Sequence, residues 1–164
     1  MRCVRCARTV AIAIAGAALI PSQAIAAAAC SFSVTGPAFG LYNPLNAAPT
    51  LANGVVTATC TWISGGASNI TLVSAYTAGN SGNFVTRYMQ SGTNRLNYNL
   101  YFESTFGSIR GDGTGGSQTG IATLRVSRGQ PTDSTTSVIY GRIPALQNAN
   151  PGTYADAILV TITY

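Results

Sequence analysis

The chain ends GTYADAILVTITY, Gly152 to Tyr164, and from Tyr154 onward its side chains alternate between two faces of an extended backbone. Tyr154, Asp156, Ile158, Val160, Ile162 and Tyr164 share one face, while Ala155, Ala157, Leu159, Thr161 and Thr163 share the other. Period-two alternation of this length predicts a β-strand. So apolar and regular a strand invites aggregation when left at an open sheet edge. It needs either strands of its own chain on both sides or a strand supplied by a partner, and periodicity leaves both open.

The same period recurs upstream. CSFSV puts Cys30, Phe32 and Val34 on one face, and GVVTATCTW puts Val56, Ala58, Cys60 and Trp62 on one face. Both cysteines therefore point to a core side and can meet across paired strands, with Trp62 beside them. NITLVSAYT, RLNYNLYFES, GIATLRVS and TSVIYGRIP read as further strands. In RLNYNLYFES the pattern sends Leu96, Tyr98, Leu100 and Phe102 inward and Asn97, Asn99, Tyr101 and Glu103 outward. Gly, Pro, Asn and Ser clusters separate these runs, and nothing reads as a helix longer than a turn or two. The expectation is an all-β fold of about seven strands, a sandwich or a barrel. A small outer-membrane β-barrel also ends in an alternating strand with a terminal aromatic, but its strands run to about nine to eleven residues and carry aromatic girdles. The runs here are shorter and lack the girdles.

The first residues carry a different signal. Arg2, Arg5 and Arg8 precede the apolar run AIAIAGAALI and the small-residue stretch AIAAAAC. This is the pattern of a secretory leader over residues 1–29, cleaved after Ala26 to Ala29, with one domain over 30–164. The full chain is +5, but three of its nine arginines fall in the leader, leaving 9 − 3 = 6 against four acidic residues, or +2. No basic stripe remains for nucleic acid. Cys3 and Cys6 also fall in the leader, so Cys30 and Cys60 remain as a pair for an oxidising compartment. Closing a loop of about 30 residues contributes roughly 3 to 4 kcal/mol in the chain-entropy model. Lipid attachment at Cys30 is the rival, and it would orphan Cys60.

Chemistry is sparse. The chain has no His and only Glu103, Asp112, Asp133 and Asp156 as acids. No nucleophile–His arrangement, metal set or carboxylate pair can be assembled, so neither an enzyme nor a cofactor is expected. The tripeptide Arg110-Gly111-Asp112 sits in a Gly-rich stretch that turn chemistry explains. Its lone Asp supplies too few oxygens for calcium. Tyr88, Met89, Tyr101 and Phe106 are candidate contacts to an abiotic or host surface, through apolar side chains at loops or on an outward face. The rival reading has them covering the core or the second sheet.

The segments CSFSVTGPAFGLYNP, GVVTATC, RLNYNLYFES and VIYGRIPALQNANPGTYADAILVTITY, in that order, resemble the spore coat protein U domain. The resemblance spans about residues 30–164, with a Cys-led first strand, an FG-Y-P turn, a second Cys and a YG-IP-Q-GTY-D run into the final strand. It implies a subunit of an archaic chaperone–usher fibre, exported through the periplasm to the cell surface. It also implies an immunoglobulin-like sandwich lacking its last strand. A periplasmic chaperone, and then a neighbouring subunit, fills the gap at an outer-membrane usher. On this reading Phe32, Val34, Ile158, Val160, Ile162 and Tyr164 flank the acceptor groove, and Tyr164 contacts the chaperone. Cleavage within residues 26–29 leaves no large apolar side chain ahead of Cys30. The chain is thus expected to accept a strand rather than give one, as a terminal or tip-type subunit or a stand-alone secreted member would.

Overall fold

The computed structural model describes residues 27–164; most of the expected leader lies outside the described residues, and Ala27 to Ala29 belong to the first strand. Eight strands are formed among the described residues: β1 (Ala27–Thr35), β2 (Thr50–Ser64), β3 (Ser68–Tyr76), β4 (Arg87–Ser91), β5 (Asn94–Tyr101), β6 (Gly120–Val126), β7 (Thr132–Ile143) and β8 (Val160–Thr163). One sheet has the order β1-β2-β7-β5-β4 and the other β6-β3-β8, with every pairing antiparallel. The two sheets pack as an immunoglobulin-like sandwich. They do not close on themselves, so the barrel alternative is set aside.

The eighth strand is β4. It joins β5 through the two-residue loop Gly92-Thr93, with Gly92 at φ 58°. Only glycine takes that conformation without cost, and a two-residue loop led by Gly is a hairpin signal. Between the sheets, Val56, Tyr76, Leu96, Leu100, Ile139 and Ile143 form one buried cluster, and Cys60, Ile70, Leu72, Leu124 and Val126 another. Cys30 and Cys60 sit directly opposite each other on β1 and β2 and are disulfide-bonded, with Cα atoms 4.0 Å apart. A bonded Cys30 is not a lipid-attachment site. Trp62 packs against the same cluster, as its alternation with Cys60 suggested.

The terminal stretch departs from expectation. It is not one strand from Tyr154 to Tyr164. Ala155 pairs with Gln90 of β4 through two backbone hydrogen bonds, of 2.8 and 3.1 Å, and only from Val160 does the chain pair with β3, from Tyr76↔Val160 to Val73↔Thr163. The segment thus crosses from one sheet to the other. Alternation survives the crossing, with Tyr154, Asp156, Ile158, Val160 and Ile162 all half-buried and their neighbours exposed.

Asn99, expected to face outward, is buried. Its Oδ1 accepts from Arg87 at 2.6 Å, and its Nδ2 donates to the Phe84 and Val85 carbonyls at 2.8 and 3.1 Å. Arg110 of the Arg-Gly-Asp tripeptide is also buried, at 1% exposure, so the tripeptide does not present its guanidinium to a partner.

Candidate functional site: an open seam between β1 and β8

The two sheets end on the same flank in β1 and β8, each of which has a strand on one side only among the described residues. On β2 the inward residues Val56, Ala58 and Cys60 are 7%, 4% and 0% exposed, as core residues should be. Their partners across the ladder on β1 are Val34, Phe32 and Cys30. Phe32 and Val34 therefore face the same way, yet they are 37% and 41% exposed. Among the described residues only the Tyr164 ring lies against Phe32, and both side chains stay more than a third exposed.

What they face is an apolar trough of about 700 Å³. Phe32 and Val34 wall it on one side, and Ile158, Leu159 and Val160 on the other; Tyr98, Leu100 and Ile139 lie at its base. Of the six residues expected at a groove, four line this trough. Ile162 instead turns into the sandwich and packs against both core clusters. Tyr164 meets Phe32 ring to ring at 5.6 Å, so the two edges touch through this aromatic pair.

The trough holds one polar point. The Tyr98 hydroxyl donates to Asp156 Oδ2 at 2.8 Å, while Asp156 Oδ1 accepts the Asn80 and Ala157 amides, each at 2.8 Å. Burial, and then the Asp156 carboxylate, hold the Tyr98 phenol well above its ordinary value. The folded chain therefore keeps this proton where the unfolded chain, titrating near pH 10, loses it. Stability contributed by Tyr98 is complete below about pH 10 and falls as pH rises beyond it. Thermal midpoints should hold from pH 8 to about 10 and decline from there to pH 11, and Tyr98→Phe should flatten that decline. Parallel slopes for the two proteins would remove Tyr98 from the account.

The far flank differs. A cleft of about 230 Å³ lies there between β6 and β7. Side chains close its backbone edges: Asp133 Oδ2 accepts the Arg125 amide of β6 at 2.9 Å, and Arg110 donates to the Val138 carbonyl of β7 at 2.6 Å. Charged groups placed on edge strands are a recognised way to block strand addition. The β1–β8 seam has no such guard among the described residues.

The four candidate surface residues are all half-buried. Tyr88 donates its hydroxyl to the Asn80 carbonyl at 2.8 Å and lies under Arg95. Met89 points into the trough and packs against the core. Tyr101 and Phe106 form an edge-to-face pair at 5.3 Å, with Arg142 over the Phe106 ring. The contributions of Phe39, Tyr98 and Asp156 to the site went unread. Alternation marked Tyr98 and Asp156 as inward, but not as lining a gap. Phe39 reaches it by lying over Gly141, where an added Cβ would come within 2.7 Å of the ring; the FG-Y-P and YG-IP motifs are two halves of one contact.

Fold and seam together define an immunoglobulin-like β-sandwich with one flank left unguarded. The family model of the Spore Coat Protein U domain matches residues 17–161, and the chain belongs to that family. The match begins inside the segment read as a leader. No curated protein matches the sequence at a significant level. In three dimensions the chain is similar to a chain of the crystal structure of the CsuC–CsuE chaperone–tip adhesion subunit pre-assembly complex, from the archaic chaperone–usher Csu pili of Acinetobacter baumannii. The TM-score is 0.54 at 18% identity, over 84% of this chain and 40% of that one, so the likeness is one of fold.

Proposed function

We propose that the protein is a structural subunit of a chaperone–usher surface fibre that accepts a β-strand into the β1–β8 seam. The strand comes first from a periplasmic chaperone and then from a neighbouring subunit at an outer-membrane usher. The observation that carries this reading is that Phe32 and Val34 face inward and stay exposed beside an unpaired β8 edge. An extended strand suits such a site: its backbone pairs with the free edge and its alternate side chains enter the trough. The work done is folding and binding rather than catalysis. Family membership and the likeness to a chain of a chaperone–subunit complex support it.

The test is export of the chain to an oxidising compartment, alone and with an alternating apolar strand fused behind Tyr164. Alone it should aggregate or melt broadly at low temperature; with the strand it should be a soluble monomer melting roughly 10 °C higher. A cooperative monomer with the same midpoint in both forms would mean that the sandwich is self-contained and the reading wrong.

A further inference from the structure

The trough does not end where β8 begins. A second apolar chamber, of about 630 Å³, continues from it and shares Pro37, Phe39 and Met89 with it as common lining. The walls are continuous in sequence on both sides. β1 supplies Phe32 and Val34 to the first chamber and the chain after it Tyr42 and Pro44 to the second; the chain before β8 supplies Pro151 and Tyr154 to the second and Ile158 to the first, where Val160 of β8 joins it. Asp156 and Tyr98 lie in the first chamber. In sequence Asp156 stands between the residues that wall one chamber and those that wall the other. Leu41 stands at the rim of the second, 95% exposed.

Resting on the strand-acceptor reading, we infer that the incoming strand is longer than the edge it pairs with, and that its far end carries a second anchor, a large aliphatic or aromatic side chain seated in the chamber beyond β8. The occupant is a continuation of the strand, because the second chamber opens off the first and its walls extend those of the seam. The inward position between the two anchors meets the Tyr98–Asp156 hydrogen bond, so it carries a small or hydroxyl-bearing side chain. A β8-length partner would leave Leu41 in water and the chamber unfilled. A strand that reaches the chamber removes both apolar exposures.

Three fusions of the full chain test this. Each adds a strand behind Tyr164 through an Asn-Gly turn, which returns it antiparallel along β8. One strand is about six residues, enough to run back to Ile158 at roughly 3.3 Å per residue. The other two run about five residues further, one with leucine at the anchor position and one with serine there. The short strand should raise the thermal midpoint over the unfused chain by roughly 10 °C, and the leucine-anchored strand by roughly 5 °C more; the serine version should match the short one. Leu41→Ser should cut the leucine increment and leave the unfused midpoint unchanged, since that side chain is already in water. If leucine and serine tails give equal midpoints while the short strand still stabilises, the second anchor is wrong and the strand-acceptor reading stands. If the short strand gives no shift, the acceptor reading fails and the anchor fails with it.

Discussion

Replacing Arg110 with methionine should cost about 3 kcal/mol or more and lower the thermal midpoint by roughly 10 °C, although the substitution keeps much of the volume and removes a buried charge. Arg110 is 1% exposed and makes four hydrogen bonds: Nε to the Tyr101 carbonyl at 3.1 Å, and the two terminal nitrogens to Tyr76 Oη at 3.0 Å, Ser137 Oγ at 2.7 Å and the Val138 carbonyl at 2.6 Å. It thereby joins β3, β5 and β7, which share few backbone bonds at this end of the sandwich. Its ring neighbours Phe102 and Tyr76 add cation–π attraction at 4.1 and 5.4 Å. Burial lowers its affinity for the proton, and the surrounding oxygens offset part of that. Two effects compete when the guanidinium goes. Desolvating a charge is no longer required, but the Tyr101 and Val138 carbonyls lose a donor in a partly buried place, at about 1 to 3 kcal/mol each. The second effect wins because two carbonyls, the Tyr76 hydroxyl and Ser137 lose their shared donor at once. Lysine should do little better than methionine: a single ammonium cannot reach four acceptors spread around a planar fork. Denaturant melts of the three proteins check this, and a methionine variant within 1 kcal/mol of the parent would overturn it.

A second arginine completes the arrangement. Arg87, 0% exposed, donates to the carbonyl of Arg110 itself at 2.6 Å, to Thr77 at 3.1 Å and to Asn99. None of this was legible in the sequence. An arginine next to a Gly-Asp pair reads as solvent-facing, because the pattern of a loop records turns and not what packs beneath them. Asn99 was misread for a related reason: alternation on a strand distinguishes two faces, but it does not register that loop residues such as Phe84 and Val85 fold back over the outer one. The division of the terminal stretch between two sheets was hidden by the same property that made the strand easy to recognise. Parity continues through a crossing, so Ala155, paired with β4, and Val160, paired with β3, belong to one unbroken alternation. What parity does carry, it carried well. It gave the inward faces of β1 and β2 and set Cys30 and Cys60 on the core side, where they bond.

Removing the disulfide, as Cys30→Ser with Cys60→Ser, should cost about 3 to 4 kcal/mol and, before that, free one wall of the seam. The reason is where β1 sits. It is an edge strand with β2 as its one neighbour, and beyond Cys30 its inward residues are more than a third exposed. Burial therefore contributes little to holding it. The Cys30–Cys60 bond pins β1 at a point where the core is dry, Cys60 being fully buried. Without that pin, the amides of Ser31 to Thr35 should exchange with solvent much faster than those of β7, whose stability comes from buried Ile139 and Ile143. Strand capture should then weaken by more than the lost stability alone predicts, since the trough loses Phe32 and Val34 together. Hydrogen exchange on the oxidised chain and on the double serine variant separates these effects. Uniform loss of protection across β1, β2 and β7 would show that the bond supports the whole sandwich, with no special claim on the seam. Selective loss in β1 would tie acceptance of a partner strand to prior oxidation, and so to the compartment in which the two cysteines can pair.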